Sequence, residues 1–249
     1  MADLLSGKRA FVTGGAAGLG LAIVKAFAAA GARGIAFDFA APARPLPRGW
    51  SHGKGDVRDE EDLARALAAA KGDLGGLDIV VANAGIVPPW HDSEALDLAE
   101  WDTVFAVNVR GIAATVKHAV PLMKPAGGAI IAMASVNAAV GHAKQAAYVA
   151  SKHAVLGIVR AVALDVGRFA IRVNALCPGP VATEALLARL ARRQEQGGAK
   201  AAETLERYGK TALGRMPSLA DVAGAALFLA SDLASGVTGQ ALMVDAGAG

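Results

Sequence analysis

The chain has 249 residues, of which 54% are hydrophobic and 30 are glycines. This composition argues against disorder and favours one α/β domain with many tight turns. The 25 Lys and Arg against 22 Asp and Glu leave a net charge of +3, and the basic residues are dispersed, which argues against nucleic acid as a partner.

Cysteine content and the amino-terminal residues bear on the compartment. The single cysteine, Cys177, rules out an internal disulfide and a cysteine metal cluster, as suits a reducing environment. Residues 2–9 are mixed polar and do not resemble a signal peptide, and no apolar run reaches about 18 residues. We therefore expect a soluble, cytoplasmic protein that does not bind a membrane.

Short apolar runs alternate with longer helical patterns along the chain. Strands are predicted at residues 8–12, 34–37, up to about 57, 77–82, 129–134, 171–176 and 240–244. Helices are predicted at residues 18–30, 60–70, 101–123, 147–168 and 219–230. This alternation predicts a single α/β domain with a parallel sheet covered by helices on both faces.

Two segments depart from the alternation. Residues 39–50 contain Pro42, Pro45 and Pro47, so the helix expected in this crossover should be missing or reduced to a turn. Residues 184–212, here called the lid segment, are polar and interrupted by glycines at 197 and 198. We expect this segment to form a mobile lid over the substrate.

A glycine-rich turn, residues 13–20, stands where the first strand passes into the first helix. Its glycines let the backbone approach a pyrophosphate, and the helix N-terminus supplies free N–H groups. Asp38 follows Gly20 by 18 residues and ends the second strand, where a carboxylate suits both ribose hydroxyls of NAD and repels a 2′-phosphate. A solvated turn residue is the alternative interpretation of Asp38.

Two arginines keep NADP open as the cofactor. Arg33 precedes the second strand and would lie about 17 Å from Asp38, at the wrong end of the sheet. Arg44 lies in the proline-containing loop. The positions better placed for a phosphate, Ala17 and Phe39, are not basic.

Tyr148 and Lys152 lie four residues apart on a predicted helix, so their side chains should share one face. The pKa of a free phenol is near 10, and an adjacent ammonium group should lower it, which would make the pair an acid/base device. A solvated helix face is the simpler alternative.

Taken together, these motifs resemble those of the short-chain dehydrogenase/reductase family, over nearly the whole chain. The family's Thr-Gly-x-x-x-Gly-x-Gly stands at residues 13–20, and its Pro-Gly-x-x-x-Thr at residues 178–183. Further matches are, in chain order, Asn83-Ala84-Gly85, Asn108, Ser135, Tyr148 with Lys152, and Val237-Thr238-Gly239-Gln240 with Val244-Asp245. Ala246 replaces a usual glycine. The resemblance implies a Rossmann fold with about seven strands in the order 3-2-1-4-5-6-7.

The resemblance also implies roles for individual residues. Tyr148 would exchange the proton of the substrate hydroxyl, Lys152 would support it and bond the nicotinamide ribose, and Ser135 would hold the substrate oxygen. Asn108 would hold a water that links Lys152 to solvent. The implied cofactor-binding residues are Gly14, Ala17, Gly18, Leu19, Gly20, Asp38, Phe39, Asp56, Val57, Asn83, Ala84, Gly85, Tyr148, Lys152, Pro178, Gly179, Val181 and Thr183.

Some of these roles have a simpler alternative. Asp56 and Val57 should flank the adenine, and Val181 with Thr183 should hold the carboxamide, but Val57 and Val181 could equally be core residues. The five histidines lack metal-ligand spacing, so no metal is expected. Cys177 lacks an evident base, and the Gly-x-Ser-x-Gly elbow of an acyl-transfer enzyme is absent around Ser135.

The expected function is hydride transfer between NAD and a secondary alcohol or ketone. Candidate lining residues are Trp90, His91, Asn137, His142, Lys144 and Gln145, which favour a small polar substrate such as a sugar, polyol or hydroxy acid. Two alternatives remain: an NADP-dependent carbonyl or 3-oxoacyl reductase, and a non-catalytic dinucleotide-binding regulatory protein. The family resemblance implies a homotetramer, with a dimer next, built on the helices of Asn108 and Tyr148.

Overall fold

Seven parallel strands form one sheet in the computed structural model, which describes residues 3–248. The strands are β1 (Arg9–Thr13), β2 (Arg33–Asp38), β3 (Trp50–Lys54), β4 (Ile79–Ala82), β5 (Gly128–Met133), β6 (Ile171–Pro178) and β7 (Ala241–Val244). Their spatial order is β3-β2-β1-β4-β5-β6-β7, and all six pairings are parallel. The predicted α/β fold and strand order are confirmed.

Helices connect the strands and cover both faces of the sheet. They are α1 (Gly18–Ala29), α2 (Glu60–Leu74), α3 (Leu98–Phe105), α4 (Gly111–Met123), α5 (Ala146–Val166), α6 (Glu184–Glu195), α7 (Ala201–Gly209) and α8 (Leu219–Ala230). Short 3₁₀ turns add Ser93–Ala95, Val136–Ala138, Gly167–Phe169 and Asp232–Ala234. None of the helices described within residues 3–248 is long and apolar enough to cross a membrane.

The core has two layers because successive residues of a strand point to opposite faces. Val80 of β4 packs into the layer beneath α2, α4 and α5, whereas Val81 packs into the layer beneath α1 and α8. Strands buried on both faces are nearly continuous apolar runs, as β4 and β5 are. The sheet is thereby held with its carboxyl-terminal edge free for loops.

Two predicted elements differ from the observed ones. The third strand ends at Lys54 and not near residue 57, so Asp56 and Val57 lie in the loop that follows it. The helix predicted at 101–123 begins at Leu98 and contains a π-helical turn, Ala106–Arg110. The lid segment contains two helices, α6 and α7, which pack against each other. As predicted, residues 39–50 contain no helix.

Candidate active site

The carboxyl ends of the parallel strands meet along one edge of the sheet, and the residues predicted to converge there do so. Hydrogen bonds join the loops that leave neighbouring strands. Asn83 after β4 bonds Gly14 after β1, and Asp38 at the end of β2 accepts from Ala16. Ser135 after β5 reaches the carbonyl oxygen of Pro178 at the end of β6.

The glycine-rich turn is held tightly by the loop after β4. The Nδ2 of Asn83 donates to the carbonyl oxygens of Thr13 at 2.9 Å and Gly14 at 3.2 Å, and the Thr13 hydroxyl accepts from the N–H groups of Asn83 and Ala84. A Cβ on Gly20 would lie 2.0 Å from the Gly14 carbonyl oxygen. Only glycine therefore fits at position 20, and the Asn83 side chain supports the turn.

Helix α1 begins with backbone N–H groups that no side chain caps. Its N-cap residue, Ala17, is exposed and extended, and the first turn contains no acidic residue. Gly18 has a φ of 51°, and open space surrounds the position that its Cβ would occupy. An uncapped helix N-terminus beside open space suits an anionic group, so Ala17, Gly18, Leu19 and Gly20 fit the pyrophosphate of a dinucleotide.

Asp38 lies beside this turn with its carboxylate oriented by the backbone. Its Oδ2 accepts from the Ala16 N–H at 3.1 Å, and its Oδ1 accepts from the Ala40 N–H at 3.2 Å. Each carboxylate oxygen retains a free lone pair, so the group can still accept from a ribose hydroxyl. The neighbouring Phe39 is 74% exposed.

Asp56 and Val57, which were predicted to flank the adenine, both contact other residues of the chain. Asp56 accepts from the N–H of Arg58 at 2.9 Å and from its guanidinium at 2.6 Å, and the hydrogen bond from this guanidinium holds the pKa of the carboxyl below its usual value. Val57 is 8% exposed and packs in the core against Gly111. For the Val57 side chain the structure agrees with the core-packing alternative.

In the segment from Pro178 to Thr183, the side chains of Val181 and Thr183 pack in the core and cap a helix. Gly179 leaves little room for a Cβ, which would lie 3.0 Å from that of Asp245. Val181 is a core residue with 7% exposure. The Thr183 hydroxyl caps α6 by accepting from the Leu186 N–H at 3.1 Å. A cofactor carboxamide would therefore meet the backbone of this segment more than these two side chains.

Lys152 is almost completely buried beneath the edge of the sheet. It is 3% exposed, and its Nζ donates to the carbonyl oxygen of Met133 at 2.7 Å. The same Nζ lies 5.6 Å from the centroid of the Tyr148 ring, and it would lie 3.6 Å from a Cβ on Gly85. Burial lowers the pKa of Lys152 to about 8.

The pKa of Tyr148 differs from the sequence-based expectation. Burial raises the pKa of this phenol, and the Ser135 hydroxyl and the guanidinium of Arg189 oppose the rise. Lys152 was expected to lower this pKa, but its ammonium group faces the Met133 carbonyl. Within the chain, desolvation of the phenol outweighs the hydrogen bond from Ser135 and the charge of Arg189.

Ser135 lies at the start of a 3₁₀ turn directly after β5. It is 8% exposed, and its Oγ accepts from the Asn137 N–H at 3.2 Å. The same Oγ is 3.5 Å from the Pro178 carbonyl oxygen, which is a long hydrogen bond. Its hydroxyl is therefore weakly held on the donor side and faces the Tyr148 phenol.

Asn108 joins the two sides of the site from the π-helical turn. Its Oδ1 accepts from the Ile86 N–H at 2.8 Å, and its Nδ2 donates to the Ile86 carbonyl oxygen at 2.9 Å and to the Ser151 Oγ at 3.1 Å. Ser151 in turn donates to the Tyr148 carbonyl oxygen at 2.7 Å. Sequence reasoning did not single out Ser151, whose position between Tyr148 and Lys152 gave no separate signal.

The polar residues expected to line the substrate pocket mostly bond elsewhere. Lys144 pairs with Asp92 at 3.0 Å, and the Gln145 Nε2 lies 3.5 Å from the Pro88 carbonyl oxygen. His91 lies 3.4 Å from Glu100, and His142 is exposed. Trp90 remains partly buried at the site.

Arg189 of α6 is a site residue that the sequence did not indicate. Its guanidinium stacks on the Trp90 ring at 4.3 Å and affects the pKa of Tyr148. In the sequence it is one of several arginines in a polar segment, which is typical of a solvated helix. Only the packing of α6 against the β4–α3 loop places it beside the phenol.

The sheet order and the glycine-rich turn between β1 and α1 define a Rossmann-fold, dinucleotide-binding class of protein. A protein-family model described as enoyl-(acyl carrier protein) reductase matches residues 14–249. Xanthoxin dehydrogenase from Arabidopsis thaliana is 38% identical over 256 residues, which cover 98% of this chain and 90% of that protein.

Two solved structures are similar over almost the full length. Ligand-free aldohexose dehydrogenase from Thermoplasma acidophilum superposes with a TM-score of 0.91 at 29% identity, covering 99% of this chain and 96% of the other. A 3-ketoacyl-(acyl-carrier-protein) reductase from Brucella melitensis complexed with NADH has a TM-score of 0.86 at 30% identity, covering 98% of each chain.

The chain therefore belongs to the short-chain dehydrogenase/reductase family. Proteins of this family bind a nicotinamide dinucleotide, and the relatives are oxidoreductases that act on alcohols or ketones.

Proposed function

We propose that the protein is an NAD-dependent oxidoreductase that transfers a hydride between a secondary alcohol or ketone and the nicotinamide. The observation that carries this proposal is the meeting of Tyr148, Lys152 and Ser135 at the same sheet edge as the uncapped N-terminus of α1. The cofactor would supply the hydride acceptor or donor. The chain would supply the proton transfer and the binding of the substrate oxygen.

Tyr148 is the proposed acid and base. Burial raises the pKa of its phenol, which keeps it protonated at neutral pH and suits it to donate a proton to a substrate oxygen. In the oxidation direction the phenolate takes the hydroxyl proton, and the Ser135 hydroxyl and the Arg189 guanidinium favour that form. Lys152, with its low pKa, is the positive group below the ring and would bond the nicotinamide ribose.

Ser135 and Asn108 complete the proposed machinery. The Ser135 hydroxyl, weakly bonded to Pro178, can instead donate to the substrate oxygen as charge develops there. Asn108 uses both amide N–H groups within the chain, so its proposed role is to fix the Ile86 loop against the helix of Tyr148. A water link from Lys152 to solvent remains a prediction.

Asp38 supports NAD over NADP. Its carboxylate lies beside the pyrophosphate turn, where it would accept from the adenosine ribose and repel a 2′-phosphate. Arg33 donates to the Leu74 carbonyl oxygen at 3.0 Å and so is held away from Asp38. Arg44 is exposed in its loop. The other proposed cofactor contacts are those named from the sequence, with the backbone of residues 178–183 taking the carboxamide.

A small polar substrate is proposed. The similarity to an aldohexose dehydrogenase supports a sugar or polyol, and Arg189 beside Tyr148 supports a substrate with an acidic group. The similarity to a 3-ketoacyl reductase favours a carbonyl reductase as the second candidate. A non-catalytic regulatory role is less well supported, because such a protein has no chemical need for a buried Lys152 beside Tyr148.

We also propose a cytoplasmic homotetramer. The outward side of α5 contains a small and apolar patch, Gly157, Ala161 and Leu164, flanked by the exposed Arg160 and Asp165, and Leu164 is 86% exposed. An apolar helix face of this kind suits contact with a second copy of the chain. Light scattering should give a tetramer, and a monomer would contradict this.

The experiment that tests the proposed function is a screen of alcohols, sugars, polyols and hydroxy acids with NAD and NADP, and of matching ketones with the reduced cofactors. Absorbance of the reduced nicotinamide follows turnover. We expect turnover with NAD on at least one substrate. Cofactor binding without turnover in either direction would support the regulatory alternative.

A further inference from the structure

Arg189 carries a positive charge that the chain leaves uncompensated next to the proposed acid/base group. It lies in the second turn of α6, and its side chain is directed back toward the site, where it affects the pKa of Tyr148. Burial lowers the pKa of Arg189. A guanidinium remains protonated in proteins even so, and the charge therefore stays.

Arg189 and Trp90 form a cluster with more hydrogen-bond donors than acceptors. Among residues 3–248, the buried Nη1 of Arg189 has no hydrogen-bond partner, and neither has the buried Nε1 of Trp90. Buried polar groups in folded proteins are normally paired, and each unpaired one requires an explanation. Both donors belong to one stacked pair of side chains, because the Cζ of Arg189 lies 4.3 Å from the centroid of the Trp90 ring.

The neighbours of Arg189 increase the positive charge. Arg193, one turn further along α6, places its guanidinium 4.5 Å from the same Trp90 ring and lowers the pKa of Arg189 by repulsion. The other groups that act on Arg189 are the phenols of Tyr148 and Tyr208. Within residues 3–248 no carboxylate is among these groups.

Trp90 ties this cluster to the helix of the acid/base residue. The residues on either side of it bond the segment that directly precedes α5: the His91 N–H donates to the Lys144 carbonyl oxygen, and the Pro88 carbonyl oxygen accepts from Gln145. Tyr148 follows in the first turn of α5. The indole and Arg189 are therefore held close to the amino-terminal turn of α5, which contains Tyr148.

We propose that Arg189, with the indole N–H of Trp90, binds a carboxylate on the substrate, so that the preferred substrates are hydroxy acids and the corresponding oxo acids. The planar fork of a guanidinium matches a carboxylate with two parallel hydrogen bonds, and an acceptor with two oxygens satisfies both unpaired donors. Because Nη1 is closed to solvent, α6 must move outward to admit the ligand and close over it afterwards. This inference deepens the proposed function and rests on the same site.

Two other uses of Arg189 give different results in experiments. If it served the cofactor, its loss would weaken NADH binding. If it served only to favour the phenolate of Tyr148, its loss would reduce turnover of neutral and acidic substrates alike and would shift the pH profile of both.

The first test measures binding without chemistry. Protein saturated with NADH is titrated by calorimetry with cyclohexanecarboxylate and, separately, with cyclohexanecarboxamide, which has the same shape without the charge. We expect the carboxylate to bind roughly tenfold or more tightly. Arg189→Met should remove this preference, and Arg193→Met, the matched control on the same Trp90 ring, should keep it.

The second test uses turnover and the conservative variant. Wild-type kcat/KM for 3-hydroxybutyrate should exceed that for 3-hydroxybutyramide. Because Arg189 also acts on the pKa of Tyr148, Arg189→Met should lower kcat/KM for both compounds, but by about tenfold or more further for the acid. Arg189→Lys should recover part of that difference. Equal binding of the two cyclohexane compounds, a preference that survives Arg189→Met, or weakened NADH binding in that variant would overturn the inference. Absence of turnover on every substrate, with the carboxylate preference intact, would overturn the proposed function and leave only the carboxylate-binding site standing.

Discussion

The Nζ of Lys152 lies 2.7 Å from the carbonyl oxygen of Met133, the last residue of β5. This hydrogen bond anchors the ammonium group to the sheet edge and holds it 5.6 Å from the centre of the Tyr148 ring. Lys152 is 3% exposed, and burial of its ammonium group lowers the pKa from 10.5 to about 8. At Lys152 the proposed function therefore opposes stability.

Lys152→Met should stabilise the protein at neutral pH. The pKa of Lys152 is about 8 in the folded protein and 10.5 in the unfolded chain. Below pH 8 the buried ammonium group therefore destabilises the folded protein fully, and this destabilisation decreases as the pH rises toward 10.5. After allowing for the lost hydrogen bond, we expect a gain of about 2 kcal/mol at pH 7 that disappears near pH 10. Urea unfolding of both proteins across this range measures it.

Lys25→Met, at an exposed lysine of α1, is the control for this measurement, because it makes the same substitution without removing a buried ammonium group. Cys177 interacts with Lys152, and burial raises the pKa of its thiol to about 11, so the comparison is made between pH 7 and 10, below that value. A gain that stays constant from pH 7 to 10 would contradict the assignment of the low pKa to Lys152.

Tyr148→Phe should lower kcat by about 10²- to 10⁴-fold, because the variant lacks the group that exchanges the proton with the substrate. NADH binding, followed by fluorescence, should stay nearly unchanged. Tyr208→Phe is the matched control, since the chain contains two tyrosines and Tyr208 lies on α7. Full activity in Tyr148→Phe would show that the acid/base assignment is wrong.

Replacement of Asp38 should change the cofactor preference. Wild type should prefer NAD over NADP in kcat/KM by at least about tenfold, because a carboxylate beside a 2′-phosphate is strongly repulsive. Asp38→Ser should reduce that preference by a similar factor. Asp73→Asn, an exposed substitution on α2, should leave the ratio unchanged. A wild-type preference for NADP would contradict the role given to Asp38.

Gly20→Ala should destabilise the protein by about 3 kcal/mol or more, since the new methyl group would overlap the Gly14 carbonyl oxygen and the Asn83 amide. Gly72→Ala provides the contrast. Gly72 lies within α2 with nothing near its Cβ position, so this change should stabilise by about 0.5–1 kcal/mol. Urea unfolding compares the two, and equal effects would show that the turn is not closely packed.

Much of the fold could be predicted because its signals are local. Apolar runs bounded by glycine, as at β1 and β4, indicate buried parallel strands wherever they stand in the sequence. The prolines at 42, 45 and 47 exclude a helix by the covalent geometry of their rings. The glycine-rich turn was equally readable, since its glycines are required by close backbone contacts.

Other features escaped prediction because they depend on neighbours distant in sequence. Asn108, in the π-helical turn, bonds Ile86 and Ser151, which lie far from it in sequence. Val181 is a core residue and Thr183 caps a helix because of the elements packed around them. The direction of the pKa shift at Tyr148 depends on burial, which spacing does not reveal.

The sequence by itself determined the alternation of strands and helices, the strand order through the family resemblance, and the positions of Tyr148, Lys152 and Ser135, because these rest on local periodicity and on short motifs. Only the tertiary structure decided which polar groups remain unpaired. Arg189 of α6 meets Trp90 and Tyr148 from about 100 and 40 residues away. Charge without a partner is a property of the packed interior, so it becomes visible only once the chain is folded.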